Sequence, residues 1–241
     1  MTETMTAGSG AASPQTGLLG RVVGVIFSPR EAFAAVVARP TWFGALAVAV
    51  LISGAAQFAL LSTDVGKELA LDQNISAMET FGVTVTDEMY AGMEEGMENA
   101  RYTGPVATIL IIPLILLVSA GILHVMFGLI GGGNGTFKQV YAISAHSAIV
   151  SSLQIVFTTI VTLAAGRAAG ANLAVFTPTL EDTTFVYKLL SYIDLFYVWS
   201  TFVTAVGLAV LYKRRTSPIA MVLFGIYLVF AAIIAFATSG S

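Results

Sequence analysis

The chain has 241 residues, of which 56 % are hydrophobic and only 10 % are charged. This composition lies far from that of a soluble globular domain, so a water-soluble globule is excluded. The 11 basic and 14 acidic residues give a net charge of −3, which supplies no basic field for nucleic acid. Because cysteine is absent, disulfides, thiolate metal sites and cysteine nucleophiles are excluded as well. We expect no nucleic-acid partner and no cofactor.

The chain begins with a polar stretch, residues 1–17, that is rich in Thr, Ser, Gly and Ala. Such a segment buries too little apolar surface to fold, so a disordered tail is predicted. No cleavable signal peptide is expected, because the first apolar run has the full length of a membrane span. Residues 18–241 are predicted to form a single membrane domain.

A short helix is predicted over 29–38, between the tail and the first span. Ser28, Pro29 and Glu31 form a helix-start signature, with a capping hydroxyl, an N1 proline and an acid three residues past the cap. Phe33, Val36 and Val37 share one face, and Arg30 and Arg39 can reach lipid phosphates. This pattern predicts an interfacial helix, the alternative being a simple lead-in without lipid contact.

Five apolar stretches are long enough to cross a bilayer as helices, which needs about 20 residues each. Only one of the 25 charged residues, Asp194, falls inside them. The runs do not alternate apolar and polar residues as barrel strands do, so an all-α membrane bundle is predicted. The predicted spans are 42–61, 105–130, 140–165, 189–212 and 217–238.

The distribution of basic residues predicts the orientation of the spans. With a cytoplasmic N-terminus, seven Lys and Arg residues lie inside and four outside, and the turn Lys213-Arg214-Arg215 contributes most to the excess. We therefore expect a multi-pass protein of the cell inner membrane, with residue 241 outside.

The largest extramembrane segment, 62–104, carries nine acidic residues and two basic ones. Thr86 can cap a helix in which Met89, Met93 and Met97 follow at four-residue spacing. An outer acidic helical cap is predicted, whose methionine stripe either packs on the bundle or meets a partner.

Two spans carry residues that can interrupt a helix or titrate. Pro113 removes one hydrogen bond from the second span, for packing or for an ion site. His124 and His146 lie about 10 and 15 Å from the turn 131–136 at helical rise, so we expect them at similar depth. Histidines at such depth serve as proton relays or half of a metal site, or bond a neighbouring hydroxyl.

The third span repeats small residues, which lets other helices approach closely and places this helix at the centre of the bundle. A serine nucleophile is the alternative, with His146 as base, but the sequence has no G-x-S-x-G. The small residues are Ala142, Ser144, Ala145, Ser147, Ala148, Ser151 and Ser152.

Asp194 enters the fourth predicted span, and Phe196 and Trp199 follow it. A carboxylate at a helix start is favoured by the dipole, and nearby aromatic rings suit the membrane interface. Asp194 is therefore either an interfacial anchor, which could also pair with Lys188 or Arg101, or a buried acid that binds a cation or partner.

Several segments of the chain carry a family likeness. They are Ser28-Pro29-Arg30-Glu31-Ala32-Phe33, Pro40, Trp42, Gly135-Thr136-Phe137, Asp194-Leu195-Phe196, Trp199 and Gly207. Together these segments resemble the prokaryotic branch of the Yip (Ypt/Rab-interacting protein) domain family. The resemblance implies five spans and a cytoplasmic N-terminus. Eukaryotic relatives bind small GTPases, but their D-L-Y-G-P signature is absent here, so that role is not implied.

The sequence thus predicts a non-enzymatic integral membrane protein that organises or adapts other membrane components. Its expected partners are the lipid bilayer, other membrane proteins or further copies of itself. The alternatives are a small-solute or ion transporter that uses Asp194, His124 or His146, and an intramembrane serine hydrolase.

Overall fold

The computed structural model of the protein describes residues 17–80 and 82–239. The predicted disordered tail and residue 241 lie outside these ranges, apart from Gly17. Helices account for the regular structure in the described ranges, where the extended pairing consists of a single bridge between Asn172 and Asp194. The all-α class is confirmed. The helices are α1 (Leu18–Phe27), α2 (Pro29–Ala38), α3 (Phe43–Leu61), α4 (Asp64–Thr80), α5 (Asp87–Met97), α6 (Ala100–Leu123), a π-helix (His124–Ile130), α7 (Phe137–Ala165), a 3₁₀ turn (Leu173–Phe176), α8 (Phe185–Tyr192), α9 (Leu195–Leu211) and α10 (Thr216–Thr238).

Four apolar segments of the described chain are long enough to cross a membrane, and they coincide with the first, second, third and fifth predicted spans. The fourth prediction, a continuous helix over 189–212, is wrong. The chain breaks at Ile193 and Asp194, and only the 17-residue α9 continues. The break arises because Asp194 has extended backbone angles and caps α9 instead of lying inside a helix.

α7 is the central helix of the bundle, as its small residues predict. It contacts α1, α2, α3, α6 and α9, and the stretch from Val140 to Val150 is buried throughout. Thr136 begins the helix with a complete capping box, because its hydroxyl accepts from Gln139 N and the Gln139 side chain accepts from Thr136 N. Gly166 ends it in the left-handed conformation, which glycine adopts without strain.

The apolar face of α2 packs into the bundle, so the prediction that this face contacts lipid is wrong. Phe33 and Val36 are fully buried, and Phe33 lies against Gly207 of α9. The predicted cap is also missing, since the Ser28 side chain makes no capping hydrogen bond. The exposed apolar stripe belongs to α1, where Leu19 and Phe27 are 77 % and 79 % exposed.

The acidic segment forms α4 and α5, which pack against each other. The Thr86 hydroxyl accepts from Met89 N at 3.3 Å and starts α5, as predicted. Met89, Met93 and Met97 are half-buried, while the acidic residues around them are exposed. The methionine stripe therefore faces protein on one side of an otherwise solvated hairpin.

α9 runs beside α7 from the level of Phe157 to the turn that precedes α7. At one end, Leu195 N donates to Ala171 O at 3.1 Å, just beyond the end of α7. At the other end, Tyr212 lies on the glycine turn that precedes α7. A Cβ atom on Gly133 would stand 2.2 Å from Tyr212 Cδ1, so only glycine permits this contact.

Candidate functional site

Asp194 is the capping residue of α9 and is 5 % exposed. Its Oδ1 accepts from Phe196 N at 2.8 Å and from Tyr197 N at 3.3 Å, which satisfies two amides that the helix start leaves without partners. Leu173 N donates to Ile193 O at 3.0 Å, and this bond attaches the loop between α7 and α8 to the same break. The carboxylate thus holds the end of a helix, in the position that favours a negative charge.

Aromatic rings surround this cap on both sides. The centroid of the Phe196 ring lies 5.4 Å from that of Phe157 of α7 and 6.4 Å from that of Trp199 on its own helix, and the rings are tilted in both pairs. From α10, the Tyr227 hydroxyl donates to Tyr192 O and accepts from Asp194 N. Tyr227 therefore ties α10 to the break between α8 and α9, a role that the sequence did not reveal because the contact spans more than thirty residues.

The two histidines have different neighbours. The His124 ring stands 6.1 Å from Phe137, the first residue of α7, whereas His146 lies nine residues further along the same helix, about 13 Å at helical rise. The expectation that the two histidines lie at similar depth stays a prediction. His146 is fully buried, and its Nδ1 bonds to Ala142 O at 2.7 Å.

No group of three or more metal-ligating side chains occurs in the described ranges.

The helix α6 continues through Pro113, and through Pro105 as well, so it begins five residues before the predicted span. Thr108 of α6 donates to Gln57 of α3, which fixes the first half of α6 against the bundle. Pro113 itself is half-buried.

Ser147 borders a cavity of about 390 Å³ between α3, α6, α7 and α9. Its wall carries hydroxyl groups, mainly from α7 and α9, and aliphatic side chains, mainly from α6. The side chains of Ser144 and Ser147 are 5 % and 2 % exposed, and their hydroxyls have no hydrogen-bond partner. Leaving a buried hydroxyl unpaired costs about 1–3 kcal/mol, so each of these two hydroxyls lowers the stability of the fold. The lining hydroxyls are those of Ser53, Ser119, Ser144, Ser147, Ser151, Ser152, Tyr197, Ser200 and Thr204.

Comparison with known proteins identifies the family. The chain matches the family model of the Yip1 domain over residues 23–238, which is most of its length. It belongs to the Yip1 family. No curated protein and no solved structure matches it. The match includes the break at Asp194 and the cavity, so both are parts of a Yip1 domain.

This Yip1 domain does not bring the predicted site residues together. Asp194, Phe196 and Trp199 lie at one end of α9, His124 lies beside the turn at the opposite end of α7, and His146 lies between them. In the described chain the cavity lining includes Ser147 but none of those five residues. Sequence reasoning named Ser147 for helix packing, and missed that Ser200 completes the same wall from α9.

Proposed function

We propose that this Yip1 protein crosses the membrane five times, with α9 as its fourth span. α9 has 17 residues, at the lower end of the length needed to cross the hydrocarbon core. The contacts of α9 support the crossing, because they extend from Phe157 of α7 to the turn before this helix, about 30 Å at helical rise. An odd number of spans then separates the N-terminus from the C-terminus.

The orientation follows from the basic residues, seven against four in favour of a cytoplasmic N-terminus in the cell inner membrane. Ala77 on α4 and Ser217 at the start of α10 are exposed and lie on opposite sides in this topology. Because the chain has no cysteine, Ala77→Cys and Ser217→Cys each provide a unique thiol. An impermeant maleimide applied to intact cells is expected to label position 77 only. Labelling at 217 alone contradicts the topology.

The proposed function is to organise other membrane proteins by lateral helix packing, without catalysis. The exposure of α6 carries this proposal. In the membrane-length apolar stretch of α6 and the following π-helix only 6 % of the residues are buried, whereas the share in α3 is 44 %. α3 and α7 hold it along one side. Its other side presents Leu110, Leu114 and Leu117, which are 69 %, 59 % and 48 % exposed.

The chemistry of this face fits an apolar helix of another membrane protein. Residues 105–130 contain no charged side chain, so the face offers shape and dispersion contacts and no ion pair. The helix is also irregular, with Pro113 inside it and a π-helix at its end. Such interruptions are frequent at functional sites and let α6 adjust its course against a partner.

Isolation of complexes in native-lipid nanodiscs tests the function. The variant Leu110→Ala, Leu114→Ala, Leu117→Ala trims the face of α6, and Val229→Ala, Ile233→Ala, Phe236→Ala trims an equally spaced, exposed face of α10. We expect a partner that co-purifies with the parent protein and with the α10 variant, and is lost from the α6 variant. Equal losses from both variants contradict a specific role for α6. Saturable solute flux that depends on Asp194 makes the transporter alternative correct.

A further inference from the structure

The hydroxyl-lined cavity lies at mid-depth in the bundle. Along α7, Ser144 and Ser152 stand about 10 and 22 Å from the first residue at helical rise, and the helix has 29 residues. Ser144, Ser147 and Ser151 follow at spacings of three and four, so they share one face of α7. Ala49 and Ser53 of α3 border the same space. A polar surface is thus placed where the surrounding lipid offers no water.

Several hydroxyls at this surface already have partners, and two do not. Ser151 of α7 and Ser200 of α9 bond to each other at 3.2 Å. Ser152 donates to Ile149 O at 2.7 Å and Thr204 donates to Ser200 O at 2.8 Å, so both are satisfied within their own helices. Ser144 and Ser147 form no such bond, although a serine in a helix can return its hydroxyl to the carbonyl four residues earlier. These two hydroxyls are therefore buried and unpaired beside the cavity.

The lining also defines what such a molecule must be. In the described chain it includes no acidic or basic side chain, so a charged head would stay unpaired in a medium of low dielectric. The rest of the lining is mainly hydrocarbon, from Ile112, Leu116 and Leu123 of α6 and Ile155 of α7. The volume, about 390 Å³, falls within the range of small-molecule sites.

An adjoining groove provides an exit for a hydrocarbon chain. It has a volume of about 290 Å³ and shares Ser119, Leu123, Ser200 and Thr204 with the cavity. From there it passes between α6 and α10, along Leu223 and Phe230. This opening faces the bilayer, so a lipid can enter sideways without crossing water.

We propose that the cavity binds an uncharged lipid, whose hydroxyl or carbonyl oxygen bonds to Ser144 and Ser147 and whose chain leaves between α6 and α10. A monoacylglycerol and a long-chain prenol share this chemistry. The proposal does not depend on the docking of partners to α6, because the outward face of α6 is not part of the lining.

Photolabelling of the full chain in nanodiscs tests the proposal. The probe is a monoacylglycerol with a diazirine in its chain, and phosphatidylglycerol with the same chain is the charged comparison. We expect saturable labelling of cavity and groove residues by the neutral probe only. Ser144→Ala with Ser147→Ala removes the unpaired hydroxyls, and we expect about tenfold weaker apparent affinity from the loss of two hydrogen bonds.

Ser152→Ala is the matched control, since it removes a hydroxyl from the same helix and cavity that is already bonded to Ile149 O. It is expected to leave labelling unchanged. The double variant should be at least as stable as the parent in nanodiscs, because it removes two buried hydroxyls that have no partner. Ala148→Leu fills the cavity with both hydroxyls intact and is expected to abolish labelling.

Competition with unlabelled lipids identifies the source of the ligand. Displacement by unlabelled monoacylglycerol alone supports a glycerolipid, and displacement by a prenol with equal strength supports recognition of the hydroxyl itself. The proposal is overturned if labelling does not saturate or is equal for both lipid classes. It is also overturned if labelling survives in the double variant or in Ala148→Leu.

Discussion

Substitution of Asp194 distinguishes a helix cap from a charged binding site. In the structure its Oδ1 serves the amides of Phe196 and Tyr197. Asp194→Asn retains a side-chain oxygen at constant size and loses only the interaction of the charge with the helix dipole, about 1 kcal/mol or less. Asp194→Ala removes both bonds at a position that is 5 % exposed, for which we expect about 2 kcal/mol, the upper end for a cap.

Thermal unfolding in detergent measures both substitutions. In a protein of this size 1 kcal/mol shifts Tm by about 2–4 °C, so we expect a loss of about 4–8 °C for Asp194→Ala and less than about 4 °C for Asp194→Asn. Thr86→Ala, which removes an exposed cap from α5, is the control and should cost less than Asp194→Ala. If Asp194→Asn costs several kcal/mol, the carboxylate pairs with a buried positive charge and the reasoning is refuted.

Three further substitutions test the packing by unfolding measurements in detergent. Gly207→Ala places a Cβ atom 2.5 Å from Ile143 Cγ2. The overpacking should cost about 1–3 kcal/mol, more than the gain in helix propensity of about 1 kcal/mol, so we expect a less stable protein. A more stable variant would show that α7 and α9 are further apart. Phe33→Ala should cost about 3–5 kcal/mol, whereas an interfacial side chain would cost far less. Tyr212→Phe should be neutral or stabilising, because the Tyr212 hydroxyl is buried without a partner, and a clear loss of stability would reveal a hydrogen bond there.

Hydropathy was sufficient to predict the long spans, because the bilayer excludes charged residues. Asp194 is the one charged residue within the five predicted spans. The break before α9 was not predicted for a related reason. Ile193 and the residues after Asp194 are apolar on both sides of the break, so a window average treats two helices as one. Only the capping geometry of Asp194 separates them.

The burial of α2 shows a second limit of sequence reasoning in membrane proteins. The spacing of Phe33 and Val36 correctly indicates one apolar face, but lipid and protein interior are equally apolar, so the pattern is the same for both. What decides the outcome is Gly207, whose missing side chain makes room for the Phe33 ring. The two residues lie far apart in the chain, and no local pattern connects them.

The candidate site was predictable only in part. Small residues on the third span indicated close packing, which is what the buried stretch of α7 shows. The cavity beside Ser144 and Ser147 depends instead on how far α6 stands from α9, a distance that composition and periodicity do not contain.

The central claim is that α6 docks other membrane proteins. Site-specific photocrosslinking in native membranes is its most direct test. A photoreactive phenylalanine analogue at Leu114 on α6 is compared with the same analogue at Ile233 on α10, since both side chains are 59 % exposed. The account predicts a protein adduct of one defined mass from position 114 and lipid adducts alone from position 233. Lipid adducts alone from both positions would contradict it.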